Sequence, residues 1–260
     1  MNRFSTNSTS GKIGEVKHRK SPLVILGPLL LCSVGLIAMW GTRNLDREKD
    51  INRQLNGPEK YDELQSVLSN AVMQDDGNTI TKTMHALPIP IARSVRPVHK
   101  ASANRKIHAL KALLESGLEA DGESAFGAPL RVAAASGYDD IVSVLITHGA
   151  EVDLTQEGTR TALCHAASFG HLSTVLLLLN YGADINYSVS SSDVLEAGWT
   201  PLHFAAANGN LDIVKQLLSK GAKVFKTTKG ESPADLARSR NRGEVVKYFL
   251  QHKVSTSYVL

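Results

Sequence analysis

Cysteine is scarce. Cys32 and Cys164 are the only two in 260 residues. One lies in an apolar run and the other in a helical segment, so the chain has neither a disulfide framework nor the paired-cysteine spacing of a zinc site. Aromatic residues make up 5% of the chain. Nucleic-acid binding asks for a basic face interleaved with aromatics, and that class of partner is set aside. Catalytic signatures are missing as well. No His-Glu-x-x-His or Gly-x-Ser-x-Gly occurs, and Gly11-Lys12-Ile13-Gly14 has neither the spacing nor the preceding strand of a phosphate loop. No enzyme activity, cofactor or metal is expected.

An excess of either sign of charge is nearly absent overall, with 29 Lys/Arg against 25 Asp/Glu and a formal net charge of +4, but the balance is strongly uneven along the chain. Residues 1–53 hold nine Lys/Arg against four Asp/Glu, and residues 97–212 hold six against thirteen. Residues 213–260 hold ten against three. The basic C-terminal end could dock an acidic partner or a lipid head-group surface, or associate head to tail with a second copy. The plain alternative is a solvated capping face.

Residues 1–21 read as a basic disordered tail. Leu23–Trp40 then runs for eighteen residues without a charge. As a helix it spans about 27 Å, at the short end for crossing a membrane. Segment 22–41 is therefore expected to be a transmembrane signal anchor, with Trp40 at the interface. A cleaved leader would need a shorter core and a small-x-small exit, and Ala38-Met39-Trp40-Gly41 is a poor one. A lipoprotein signal would want a small residue before Cys32, where Leu31 stands. Four basic residues flank the run on each side. The preceding group is closer, which orients the C-terminal part to the non-cytoplasmic side, the periplasm if the source is bacterial.

Residues 42–93 read as a partly helical connector. Within it Glu59 to Met73 carries Leu64, Val67, Leu68 and Ala71 on one helical face. Gln74 to Thr83 reads as a polar loop. Leu87 to Pro97, with Pro88, Pro90 and Pro97, reads as extended.

The rest is periodic. Pro97, Pro129, Ala162, Pro201 and Pro233 each open a short helix, at intervals of 32, 33, 39 and 32 residues. Gly117, Gly149, Gly182 and Gly221 close the units at 32, 33 and 39. In Gly198–Ala222 the unit is clearest. Thr200-Pro201 suits a helix start, Gly209 a left-handed cap, and Leu211, Ile213, Val214, Leu217 and Leu218 form an apolar stripe. Helices of about ten residues are marginal alone, so the units must stack into an all-α solenoid.

Residues 94–252 resemble the ankyrin-repeat family. The carriers are Thr200-Pro201-Leu202-His203, the Ala205-Ala206 step, and the closing runs Gly149-Ala150-Glu151 and Gly182-Ala183-Asp184. The resemblance implies about five repeats, degenerate at both ends, with residues 253–260 left as a tail. The motif histidine, His99 and His203 in two units, is Arg131, Cys164 and Asp235 in the others. The linker before the fourth unit carries six extra residues within 187–198, read either as a binding insert or as a tolerated one. Asn186-Tyr187-Ser188 also forms a glycosylation sequon, relevant only in a eukaryotic secretory route.

The resemblance implies a non-catalytic scaffold that binds a protein partner through the concave face of its first helices and its β-hairpin fingertips. Carried over position by position, the expected contact residues are Tyr187, Trp199, Phe204, Phe169, His165, Asn208, Lys226 and Lys229. The rival readings are a regulatory or protective periplasmic subunit assisting an enzyme, a secreted effector, and a thiol chemistry at Cys164, His165 and His171. The thiol reading is the weakest, because Cys164 stands at the motif's structural histidine.

Overall fold

The computed structural model describes residues 58–94, 96–122, 128–155, 159–190 and 195–252. The expected tail 1–21, anchor 22–41 and C-terminal tail 253–260 lie outside the described residues. Within them no helix is long and apolar enough to cross a membrane. The described residues belong to one compact unit, from Pro58 onward.

From Pro97 on, helices come in pairs: α4 (Pro97–Ala103) with α5 (Ile107–Glu115), α6 (Pro129–Ser136) with α7 (Asp139–Thr147), and α8 (Ala162–Phe169) with α9 (Leu172–Asn180). Then follow α10 (Pro201–Asn208) with α11 (Leu211–Ser219), and α12 (Pro233–Ser239) with α13 (Gly243–Gln251). The five residues whose spacing marks the period are the first residues of the five first helices. Proline fits there because its missing N–H would have had no partner in the first turn anyway. Each first helix packs on the next first helix, and each second helix on the next second helix.

The first helices touch through small residues. Ala133, Ala134, Ala166, Ala167, Ala205 and Ala206 are all fully buried, so neighbouring backbones approach closely. The second helices supply bulk: Ile141, Leu145, Val175, Leu178, Val214 and Leu217 are buried in the same core. Burying each such aliphatic side chain stabilises by roughly 1.5–3 kcal/mol.

Polar clasps tie the units together. The residue just before a second helix reaches back to carbonyls at the end of the previous first helix, which have no partner within that helix. His171 Nε2 lies 2.9 Å from the Ala135 carbonyl. The Asn210 amide donates to Ala167 O at 2.7 Å and Ser168 O at 3.1 Å. Arg242 Nε donates to Ala207 O at 3.1 Å. At the finger end, Asp121 accepts from the Glu151 N–H at 3.2 Å, Asp153 from Asp184 at 2.9 Å, and Asn186 from Lys223 at 2.8 Å. The sequon asparagine is thus already part of a clasp. Gly137 (φ +71°) closes α6 directly under the first clasp, where an added Cβ would sit 2.5 Å from His171 Nδ1.

The expected connector is partly built into this stack. Helix α1 (Pro58–Gln74) matches the predicted helix, although Val67 is exposed. The predicted loop 74–83 is instead occupied mainly by α2 (Gly77–Ala86), and the predicted extended segment holds α3 (Ile89–Ser94). Helix α1 packs on α4 and α2 on α5, as a further helix pair would. Asp76 caps α2, accepting from Thr79 N at 3.1 Å. Asp75, in the left-handed turn between α1 and α2, accepts from Ala109 N (2.8 Å) at the start of α5 and lies 2.9 Å from His108 Nδ1. Burial pushes its carboxyl up, but the Ala109 bond and His108 win and hold it below the usual range. Leu68, Ala71, Val72, Ile80, Met84 and Leu87 extend the common core.

Candidate partner-binding face

The first helices α6, α8, α10 and α12, with the finger bases that lead into them, form one continuous face. Its most aromatic part turns inward. Phe204 is 1% exposed and Trp199 5%. They pack on Cys164, Val189, Ala207 and Leu236, with ring centroids 5.1 Å apart. Both were expected as surface anchors, and both are instead closed off: the finger pulls Trp199 down, and α8 and α12 wall in Phe204.

Guanidinium groups roof these rings. The Arg160 head lies 4.5 Å from the Phe204 ring centre, and the Arg240 head 5.2 Å from the Trp199 ring. An arginine–phenylalanine–tryptophan–arginine stack therefore crosses three repeats. Cation–π contacts of this kind are favourable by roughly 0.5–2 kcal/mol.

Arg160 is also gripped by Glu196 from the insert, through Nε–H to Oε2 at 2.7 Å and a second contact from Nη2 to Oε1. The insert is thus a braced finger. Val189 N donates to Trp199 O at 3.0 Å, and Gly198 N to Val189 O at 2.7 Å. That two-bond pairing stands where a β-hairpin was expected, and no strand occurs among the described residues. The Thr228 hydroxyl donates to Ala197 O at 3.0 Å from the next finger. A Cβ on Gly198 (φ +81°) would sit 2.7 Å from Thr228 N, so only glycine lets the two fingers meet. Leu195, on the same insert, is 82% exposed.

One repeat back, Arg131 donates from Nη1 to the Thr159 hydroxyl at 3.0 Å, while its Nε is buried with no acceptor. Burial lowers its pKa, against the opposing pull of Tyr187, which leaves a guanidinium charged at any ordinary pH. The Tyr187 hydroxyl donates to Thr159 O at 2.8 Å. His165 stacks on Phe169, with centroids 6.4 Å apart and planes within 6°. Burial, with Arg160 and Arg131 nearby, pulls its pKa down to about 4. Phe169 itself is 60% exposed.

Among the expected contact residues, then, Phe169 is open, His165 is half-buried at its side, and Tyr187 is half-buried at the base of the finger. The Asn208 amide is occupied by Ser168 Oγ at 3.1 Å and Phe204 O at 3.0 Å. Lys226 and Lys229 are exposed on the last finger, away from Phe169 in sequence. The residue-by-residue expectation missed Arg131 and Arg160, while Glu196 entered only as the end of the insert and Arg240 only as part of the basic C-terminal end. Arg131 was visible as a departure from the motif histidine, and Arg160 occupies the position that Trp199 holds in the next repeat.

The Cys164 neighbourhood is not arranged for nucleophilic chemistry. The thiol is fully buried, and desolvation pushes its pKa up to about 11. A nucleophile needs the thiolate. Cys164 N–H bonds to the Thr161 hydroxyl at 3.3 Å, an ordinary helix cap. Among the described residues no cluster of His, Cys, Asp and Glu is placed to hold a metal ion.

Comparison with known proteins names the stack. A family model described as "Ankyrin repeats (3 copies)" matches residues 98–189, and a second, "Ankyrin repeats (many copies)", matches residues 163–218. These residues form ankyrin repeats. The chain is similar to an ankyrin repeat and KH domain-containing protein of Caenorhabditis briggsae, 33% identical over 59% of this chain and 6% of that protein. It is similar to a tyrosine-protein kinase of Hydra vulgaris, 29% identical over 61% of this chain and 21% of the kinase. It is also similar to a B-cell lymphoma 3 protein homolog of Mus musculus, 31% identical over 58% and 34%. The chain spans no more than about a third of the length of these relatives. Ankyrin repeats are a protein-binding scaffold, and the likeness to the kinase covers only that minor share of it.

Proposed function

We propose that this chain is a non-catalytic adaptor that holds a protein partner on its first-helix face and fingers. The observation that carries this is Phe169, an aromatic ring 60% exposed on a helix whose other face is locked into the core. Rigid, partly exposed aromatics beside arginines are the usual anchors of an interface. Binding is by surface complementarity, without turnover.

The adaptor is tethered to a membrane through Leu23–Trp40, with the repeats on the non-cytoplasmic side. This is supported by the uncharged run and the closer basic group before it. Tethering raises the effective concentration of the repeats near membrane-bound partners.

Two experiments test the reading. A photo-crosslinking residue at Phe169 in native membranes should capture a discrete protein adduct that the same probe at Lys215, on second helix α11, does not. Equal capture at both sites, or none, refutes the face. A reporter enzyme fused to the C-terminus should be active only outside the cytoplasm, and activity confined to the cytoplasm refutes the orientation.

A further inference from the structure

Most arginines among the described residues are already matched. Arg93 pairs with Glu119, Arg105 with Asp140, Arg160 with Glu196, and Arg238 with Asp235. Arg242 is used in a repeat clasp. Arg131 and Arg240 differ. Among the described residues the Arg131 head has the Thr159 hydroxyl as its hydrogen-bond partner and no carboxylate, with Nε left without an acceptor, and the Arg240 head lies on the Trp199 ring. They stand on the second and fifth repeats, on α6 and at the end of α12, with the insert lying between the third and fourth. Phe169 and Leu195, both strongly exposed, lie on the repeats between them.

We infer that the occupant of this face is an extended acidic peptide segment, whose carboxylates pair with Arg131 and Arg240 and whose apolar side chains cover Phe169 and Leu195. The inference rests on the adaptor reading above. A carboxylate matches a guanidinium edge in a two-bond geometry that a hydroxyl cannot supply. It would also give the Arg131 group the counter-charge that the protein itself withholds. The spacing suits an extended chain. Helices pack 8–10 Å apart, so the three steps from α6 to α12 cover about 25–30 Å. An extended segment rises about 3.3 Å per residue, which sets the two acidic positions about eight or nine residues apart.

Charge complementarity favours a peptide over nucleic acid. A duplex carries a phosphate charge every ~1.7 Å. This face offers three guanidiniums over its length, and Glu196 already neutralises one of them. Only an occupant with sparse charges matches that pattern.

The test is a selection from a random twelve-residue peptide display library on the full chain, followed by fluorescence anisotropy with the enriched peptides. Expected are Asp or Glu at two positions about eight residues apart with apolar residues between. Binding should weaken about five- to tenfold in Arg131→Gln/Arg240→Gln, and should fall as salt is raised. The control Lys215→Gln, on second helix α11, should bind as the parent does, and unchanged circular dichroism melting shows that the variants fold. Enriched peptides that are neutral or basic, or acidic ones that bind the double variant equally well, overturn the inference and leave the adaptor reading standing. Tighter binding of an oligouridine than of any selected peptide also overturns it. Failure of any peptide to compete at Phe169 overturns both readings.

Discussion

Acidification should weaken this fold well before its carboxylates protonate. His203 is fully buried, and its Nδ1 accepts from the Thr200 N–H at 3.0 Å, with the Thr200 hydroxyl 2.9 Å away. That places the ring proton on Nε2, which points toward the Phe225 and Glu231 carbonyls of the next finger but falls short of hydrogen-bond geometry. A second proton would abolish the acceptor that holds the start of α10. Burial therefore lowers the His203 pKa to about 4, and burial with nearby arginines does the same at His165. An unfolded imidazole titrates near 6.5. In the window between, the unfolded chain binds more protons, so the stability contribution is complete above pH 6.5 and is lost as pH falls toward 4. Moving from pH 7.5 to 5.0 costs about 2 kcal/mol for His203, and somewhat less for the half-exposed His165. With a urea slope near 2 kcal/mol per M, the two together lower the midpoint by about 1.5 M. At pH 5 ordinary carboxylates are still ionised and contribute little, while Asp121 and Asp153, raised by burial, bind protons more readily in the folded chain and offset a small part of the loss. Urea titrations followed by circular dichroism at both pH values measure the shift. His203→Gln/His165→Gln, which keeps an acceptor for Thr200 but cannot titrate, should remove most of it. Equal midpoints in the parent, or a full shift in the double variant, refute the reasoning.

Three further outcomes follow from the packing. Gly137→Ala should cost distinctly more stability than Gly149→Ala: both bear the left-handed cost of roughly 1–2 kcal/mol, but only at Gly137 does the new Cβ collide with His171, whereas at Gly149 nothing lies within 4 Å. Thermal melts of the two variants decide it, and equal losses would mean the clasp contributes nothing. Phe204→Ala should lose about 3–5 kcal/mol, while Phe169→Ala, at an exposed ring, should stay within about 0.5 kcal/mol and show its effect in partner binding instead. Glu196→Gln should leave the global melt nearly unchanged yet speed amide hydrogen exchange at Gly198 and Trp199, because the finger loses its grip on Arg160.

The period was legible because its markers are backbone requirements. A proline at a first helical position and a glycine at a left-handed cap are local constraints, and the five helix starts fall where that spacing put them. Helix α2 was not legible. Its sequence, GNTITKTMHA, is rich in β-branched threonine and reads as a loop. It is helical because Ile80, Thr83 and Met84 find a buried surface and Asp76 caps its first turn. The binding face was half legible. Phe169, Trp199 and Phe204 were identifiable as aromatics at the right repeat positions. Which of them faces outward depends on Arg160, Glu196, Leu236 and Arg240, whose approach crosses whole repeats and leaves no local signature.

That division says where specificity resides. The repeat that matches the family motif best, α10 with α11, is also the one whose first helix is most enclosed: Pro201 through Ala207 are all buried. Residues that satisfy the motif are used in stacking, and stacking leaves them nothing to offer a partner. The groups that set this face apart from its neighbours stand where the chain departs from the pattern. Arg131 replaces the motif histidine, Arg160 replaces the tryptophan of the next finger, Leu195 and Glu196 belong to the extra residues, and Arg240 ends a degenerate last repeat. A partner that recognised the consensus surface would bind many such stacks alike. One that recognises these departures binds this chain, so exchanging Arg131 for the consensus histidine should reduce binding while leaving stability near that of the parent.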